Sequence, residues 1–237
     1  MIYVTSDLHG YPLNRFLRLL DKARFSDTDQ LIVLGDVIDR NGDGGIRMLR
    51  WMVQQPNVWL ILGNHEAMLL SCSFCFQNPG GWRPPVKDDV ERELLRVWKA
   101  NGGTPTLSSL RDFFREDPGA AEALMQYVRE APLYELCQAY GRLYVLTHAG
   151  LGGFAPQRQL SDYTADELLW HRPAPDERYY TDATVIFGHT PTAFYGQQYT
   201  DRMLRTSTWI NIDTGAGQGR HPMLLRLGDE RPFYADD

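Results

Sequence analysis

Four histidines in this chain stand directly after short apolar runs, each with carboxylate, amide or glycine neighbours. His9 follows Ile2-Tyr3-Val4-Thr5, with Asp7 two residues before it. Leu31-Ile32-Val33-Leu34 runs into Gly35-Asp36-Val37-Ile38-Asp39-Arg40. Val58-Trp59-Leu60-Ile61-Leu62 runs into Gly63-Asn64-His65-Glu66. His148 and His189 end two later runs, in His148-Ala149-Gly150 and Gly188-His189-Thr190. Carboxylate, amide oxygen and neutral imidazole are the donors that suit divalent Mn, Fe or Zn. A lone histidine at a strand–loop junction is more often a hydrogen-bonded structural residue. Shared placement at strand ends reverses that weighting. His9, His65, His148 and His189, with Asp7, Asp36 and Asn64, are enough for two metals, whereas His171 and His221 lack the placement.

The elements that must position these residues follow from the apolar runs. Short runs rich in β-branched residues and stopped by glycine read as buried strands. In open α/β sheets, sites gather just beyond the carboxyl ends of the strands. Strands are predicted at Ile2–Thr5, Leu31–Leu34 and Val58–Leu62, with helices at about Leu13–Arg24 and Ile46–Gln54 between them. This β-loop-α order argues for an α/β fold. Helices are next expected over Glu66–Cys75, Asp88–Ala100, Leu107–Arg115 and Gly119–Arg129, with a break at 78–85 and a loop at 101–106. Residues of about 66–131 therefore read as a helix-rich insertion within a single domain spanning 1–237. Strands return at Leu133–Ala139 and Arg142–Thr147, a hairpin about Tyr140-Gly141, and at Thr184–Phe187, Trp209–Ile212 and Met223–Leu227. A short helix over Thr164–Trp170 is expected to be capped by Ser161 or Asp162.

Composition bounds the partners. A net charge of −6 over 237 residues argues against a nucleic-acid surface, which needs clustered Lys and Arg. An anionic substrate is compatible with that charge if bound metal supplies the positive field. No run approaches the roughly eighteen apolar residues of a membrane span. Three cysteines cannot all pair internally, and Met1 leads straight into a strand without a basic segment. Together these favour a cytoplasmic location.

The blocks Asp7-Leu8-His9-Gly10, Gly35–Arg40, Gly63–Glu66, His148-Ala149-Gly150 and Gly188-His189 resemble, in order, the motifs of the phosphoprotein phosphatase branch of the calcineurin-like metallophosphoesterases. The resemblance implies a four-layer sandwich of two mixed β-sheets flanked by helices. It implies that Asp7 and His9 hold one divalent ion, that Asn64, His148 and His189 hold a second, and that Asp36 bridges them. Mn2+ is expected first, with Fe, Zn or Ni as alternatives. A hydroxide bridging the two ions would attack the phosphoryl group in line, without a covalent enzyme intermediate. Arg40 and Arg172 would clamp the phosphoryl oxygens with their planar forks of donors. Arg172 lies in Leu168-Leu169-Trp170-His171-Arg172, similar to the second arginine of bacterial members. His65 would donate a proton to the leaving group, with Asp39 raising its pKa. Asn41 departs from the family's usual glycine, and Ala149 is shared with bacterial members.

Other residues draw plainer readings. Cys72 and Cys75 form Cys-x-x-Cys, but zinc wants four ligands and only Cys137 remains, so the pair reads as helix packing. Trp98 and Asn101-Gly102-Gly103-Thr104 resemble a segment of bacterial members that borders the substrate cleft; the alternative is a helix stop. Asp213 reads as structural. The resemblance implies a serine/threonine protein phosphatase acting on phosphorylated proteins or small phosphate esters. The rival within the same chemistry is a dinucleoside polyphosphate hydrolase of the diadenosine tetraphosphate type. The helical insertion and the segment 191–207 would separate them by shaping the rim. A non-catalytic module on this fold is disfavoured because every ligand position is filled.

Overall fold

The computed structural model describes residues 1–77 and 86–235. Three parallel strands, β1 (Ile2–Thr5), β2 (Gln30–Val33) and β3 (Val58–Leu60), start one sheet. Helices α1 (Leu13–Ala23) and α2 (Ile46–Val53) connect them. Four helices then intervene: α3 (Asn64–Ser71), α4 (Asp89–Ala100), α5 (Thr104–Glu116) and α6 (Pro118–Arg129). The second half forms β4 (Tyr134–Ala139), β5 (Arg142–Thr147), α7 (Ala165–Leu169), β6 (Ala183–Phe187), β7 (Leu204–Arg205), β8 (Trp209–Asn211), β9 (Met223–Arg226) and β10 (Arg231–Tyr234). The two five-stranded sheets have the orders β10-β9-β1-β2-β3 and β4-β5-β6-β8-β7, and both mix parallel with antiparallel pairs.

Side-chain alternation explains the layering. Val4, Ile32, Leu34 and Ile61 of the first sheet pack with Tyr144, Leu146, Ile186 and Ile210 of the second, between the sheets. Their neighbours Tyr3, Leu31, Val33, Val58 and Leu60 point the other way, into a core shared with α1, α2, α5 and α6. Val145, Val185, Phe187 and Trp209 face α7 on the far side. Strands buried on both faces show continuous apolar runs, and these do. Two mixed sheets flanked by helices is therefore the observed architecture. Among the described residues, no helix is long and apolar enough to cross a membrane.

Several local expectations are corrected. The third helix starts at Asn64, because extended Gly63 is its N-cap and Glu66 reaches back to that cap's N–H. It ends at Ser71, and Ser73–Phe76 is a separate 3-10 turn. Thr104 opens α5, three residues before the start at Leu107 that the sequence pattern predicts; Pro105 in the first turn needs no donor there and pre-sets helical φ. Thr164, rather than Ser161 or Asp162, caps α7, its Oγ1 accepting the Glu167 N–H at 3.3 Å. Strands β7 and β10 lie outside the strands that the sequence predicts. The expected break at 78–85 lies outside the described residues. Cys72 and Cys75 are buried in the helical core, where burial pushes their thiols up to about 12 and about 11, so they act as packing.

Candidate metal centre

The parallel strands β1, β2, β3, β5 and β6 all run toward one end of the sandwich. The loops leaving those ends carry Asp7 and His9, Asp36, Asn64, His148 and His189 in turn. These loops are tight. Among the described residues, ten non-glycine residues have positive φ, and six of them are Asp7, His9, Asp36, Asp39, Arg40 and His189. Such conformations cost on the order of 1–3 kcal/mol each and persist only where the surroundings enforce them. Enforcement comes from close backbone contact. A Cβ at Gly188 would meet the Asp7 carboxylate, and one at Gly35 (φ 83°) would meet the Gly63 backbone.

Asp36 sits at the middle of the cluster. Its Oδ2 is 3.5 Å from His9 Nε2, and its Oδ1 is 3.5 Å from His148 Nε2. Asp7 Oδ1 lies 3.9 Å from His9 Nε2. Asn64 Oδ1 lies 2.8 Å from His148 Nε2 and 3.0 Å from His189 Nδ1, and those two nitrogens are 3.2 Å apart. All six residues are buried. Burial pushes His9 down to about 3 and, with His148 beside it, His189 down to about 2, which keeps both imidazoles neutral. Burial raises Asp7 to about 6. Burial alone would also raise Asp36, but the surrounding histidines outweigh it and hold its carboxyl well below the usual range.

The donor set fits divalent cations. His9 Nδ1 lies 2.9 Å from Ile38 O, and His148 Nδ1 lies 2.7 Å from Leu34 O. A carbonyl can only accept, so Nδ1 of each ring carries a proton, and in the neutral form of such a ring Nε2 is a bare lone pair. For His9 that lone pair faces Asp7 and Asp36; for His148 it faces the amide oxygen of Asn64. Lone pairs converging at such distances repel unless a cation lies among them. Asp36, His148 and His189 form one group of suitable spacing; His9, Asp36 and His65 form another.

His65 is engaged differently. It follows Asn64 on the first turn of α3, so the two side chains diverge, and its Nδ1 lies 2.6 Å from Asp39 Oδ2. Arg40 Nη2 donates to its Nε2 at 3.2 Å, and Asp36 Oδ2 is 3.8 Å from the same nitrogen. Burial disfavours the His65 cation, but the charge of Asp36 and the bond to Asp39 outweigh it and raise the pKa. Asp39 in turn accepts from Trp98 Nε1 at 2.9 Å and Thr106 Oγ1 at 2.6 Å. Its own N–H is 3.0 Å from that hydroxyl. Arg40 N–H donates to Gly102 O at 2.9 Å. The Trp98–Thr104 segment thus grips the Asp39-Arg40 turn, which is more than a helix stop. Asn41, at the family's glycine position, keeps negative φ and donates from Nδ2 to His9 O and Ala216 O at 3.0 and 3.3 Å.

Arg172 and Arg40 are brought together. Both line a cavity of about 360 Å³ with His189, Thr190, Pro191, Phe194 and Gln218. Arg172 Nη1 donates to Thr190 Oγ1 at 3.0 Å. His171 and His221 are placed elsewhere, against Glu177 and Tyr11. Asp213 is buried and accepts the Gly215 N–H at 2.9 Å. Glu66 closes the Gly63–Glu66 motif, and its role is visible only in the fold. The Glu66 carboxylate accepts N–H bonds from Asp36, Val37, Ile38 and Gly63 at 2.8–3.3 Å, so it builds the loop that carries Asp36. Burial and the Asp36 charge push its pKa up to about 7, against the pull of those donors.

Comparison with known proteins agrees with this arrangement. The chain is 29% identical over 219 residues to serine/threonine-protein phosphatase 2 of Salmonella typhimurium, covering 91% of this chain and 87% of that one. It is 26% identical over 274 residues to the symmetrical bis(5'-nucleosyl)-tetraphosphatase of Nitrosospira multiformis, covering 99% and 95%. A solved serine/threonine phosphatase from Saccharomyces cerevisiae shares the fold at a TM-score of 0.55 and 17% identity, covering 100% and 80%. The model of one family, calcineurin-like phosphoesterase, matches residues 1–208. With that match over most of its length, and with two mixed sheets presenting carboxylate, amide and imidazole donors at one end, the chain belongs to the calcineurin-like phosphoesterase family of hydrolases.

Proposed function

We propose that this enzyme hydrolyses phosphoserine and phosphothreonine esters in proteins, with two divalent cations, Mn2+ first among them. In this reading Asp7 and His9 hold one cation, Asn64, His148 and His189 the other, and Asp36 lies between. When bound, the cations supply positive charge and lower the pKa of an attacking water. Arg40 and Arg172 hold the phosphoryl oxygens and stabilise the charge that builds on them. A phosphoryl group that draws Arg40 away from His65 leaves Nε2 free to carry a proton to the leaving oxygen, while Asp39 holds the ring at Nδ1.

The single observation that carries the ester reading is the buried His65–Asp39 pair at 2.6 Å. A serine alkoxide is a poor leaving group and needs a proton as the P–O bond breaks. The nucleotide released from a polyphosphate anhydride is a far better leaving group. A second reading, dinucleoside polyphosphate hydrolysis, is favoured by Phe194, which is 72% exposed in the cavity that Arg40 and Arg172 line. An exposed ring there offers a face on which a base can stack. A side-by-side assay of phosphoserine peptides and a dinucleoside tetraphosphate with Mn2+ separates the two. The ester reading expects higher kcat/KM on the peptides, with no effect of Phe194→Ala on them. Higher kcat/KM on the tetraphosphate, lowered by Phe194→Ala, would replace it. Arg172→Ala should reduce kcat/KM with metal content unchanged; full retention would remove Arg172 from the clamp.

A further inference from the structure

The two sheets are tied together at one side near the metal centre and part company away from it. Leu62 N–H, just past β3, donates to Pro132 O, just before β4, at 2.8 Å. Both β3 and β4 are edge strands. Beside that bond a cleft of about 570 Å³ opens between them, and none of the metal-centre residues lines it. Its size is that of a small-molecule site. Ile2 and Ile32 contribute apolar surface, and Trp59 and Leu136 line it while 42% and 49% exposed. Among the described residues of its lining, Glu130 and Glu135 are the charged ones, and no Lys, Arg or His joins them.

Neither carboxylate forms an ion pair among the described residues. Glu130 Oε1 accepts from Gln126 Nε2 at 2.6 Å, and Glu135 Oε1 accepts the Leu136 N–H at 2.8 Å, which leaves Oε2 of each to a ligand. Two unpaired carboxylates select a cation, an exposed indole attracts one through its ring face, and apolar walls select a ligand with an apolar body. We propose that this cleft binds a small organic cation bearing an aryl or alkyl group, at a site separate from the phosphoryl chemistry.

The test compares two probes of the same shape, (4-hydroxyphenyl)trimethylammonium and the neutral 4-tert-butylphenol, by calorimetric titration of the full chain loaded with Mn2+. The charged probe is expected to bind at least about tenfold more tightly, since carboxylate pairing and cation–π attraction both act on it alone. Glu130→Gln/Glu135→Gln, at two exposed positions, should reduce that preference to about threefold or less while the neutral probe is unaffected. Trp59→Leu should weaken the cation and keep the apolar wall. Equal affinity for the two probes, no heat from the cation up to about 5 mM, or an unchanged preference in the double glutamine variant would each overturn the proposal.

Discussion

A histidine that hands a proton to a departing oxygen matters in proportion to how badly that oxygen needs it. General acid catalysis contributes about 10²–10⁴-fold. His65→Asn is therefore expected to cost that order in kcat on phosphoserine peptides and much less on p-nitrophenyl phosphate, whose phenolate leaves unaided. Metal content, read by elemental analysis, should stay near the unmodified level. Equal losses on both substrates would make His65 a phosphate-positioning residue, and loss of metal would make it a ligand. Asp36 is the other residue to test, because its two oxygens each face a different histidine. Asp36→Asn should lower bound Mn2+ below two per chain and reduce activity more than any other ligand substitution; two retained ions would break the bridging assignment. The placement of Asp7, His9, Asp36, Asn64, His148 and His189 at strand ends was legible because each follows an apolar run that reads as a buried strand. Their supports were less so. Trp98 and Thr106 lie 59 and 67 positions from Asp39, and no local pattern says which carboxylate they will grip.

The elements matter through how they end. Glu66 is the third residue of α3, and it both caps that helix and receives the N–H groups of the loop after β2. Two donors aim at each of its oxygens. A glutamine would turn an NH2 toward one of those pairs and leave two buried N–H groups unsatisfied. Glu66→Gln is thus expected to destabilise the fold by at least about 2 kcal/mol, measured as a lower urea midpoint, and to weaken Mn2+ binding by misplacing Asp36. An unchanged midpoint would mean that the loop finds other acceptors. Strand positions in the first half were legible because the runs are apolar, rich in β-branched residues and uninterrupted. β7 is two residues long, and β10 contains Pro232, which only an edge strand tolerates, so neither carries a periodic signal. Helix starts at Asn64 and Thr104 were hidden because Gly63 and Pro105 read as breakers until the cap geometry is seen.

Across the molecule, the strain and the buried lone pairs at one end are balanced by packing everywhere else. Cations that bind only the folded chain stabilise it by mass action, about 2.7 kcal/mol at a hundred times Kd. Thermal unfolding should accordingly shift upward on adding Mn2+ and downward with chelator, and Asp36→Asn should abolish most of the shift. A shift of the same size in that variant would place the stabilising ion elsewhere. β1 lies between β2 and β9, and Thr5 Oγ1 donates to the carbonyl of Met223, 218 positions away. As the chain leaves the ribosome, β1 gains β2 early but keeps its other edge bare until β9 emerges. An unpaired edge invites pairing with another chain. Nascent chains arrested before Met223 should accordingly recruit holdase chaperones and precipitate on release, and a separately supplied peptide spanning 220–235 should keep them soluble.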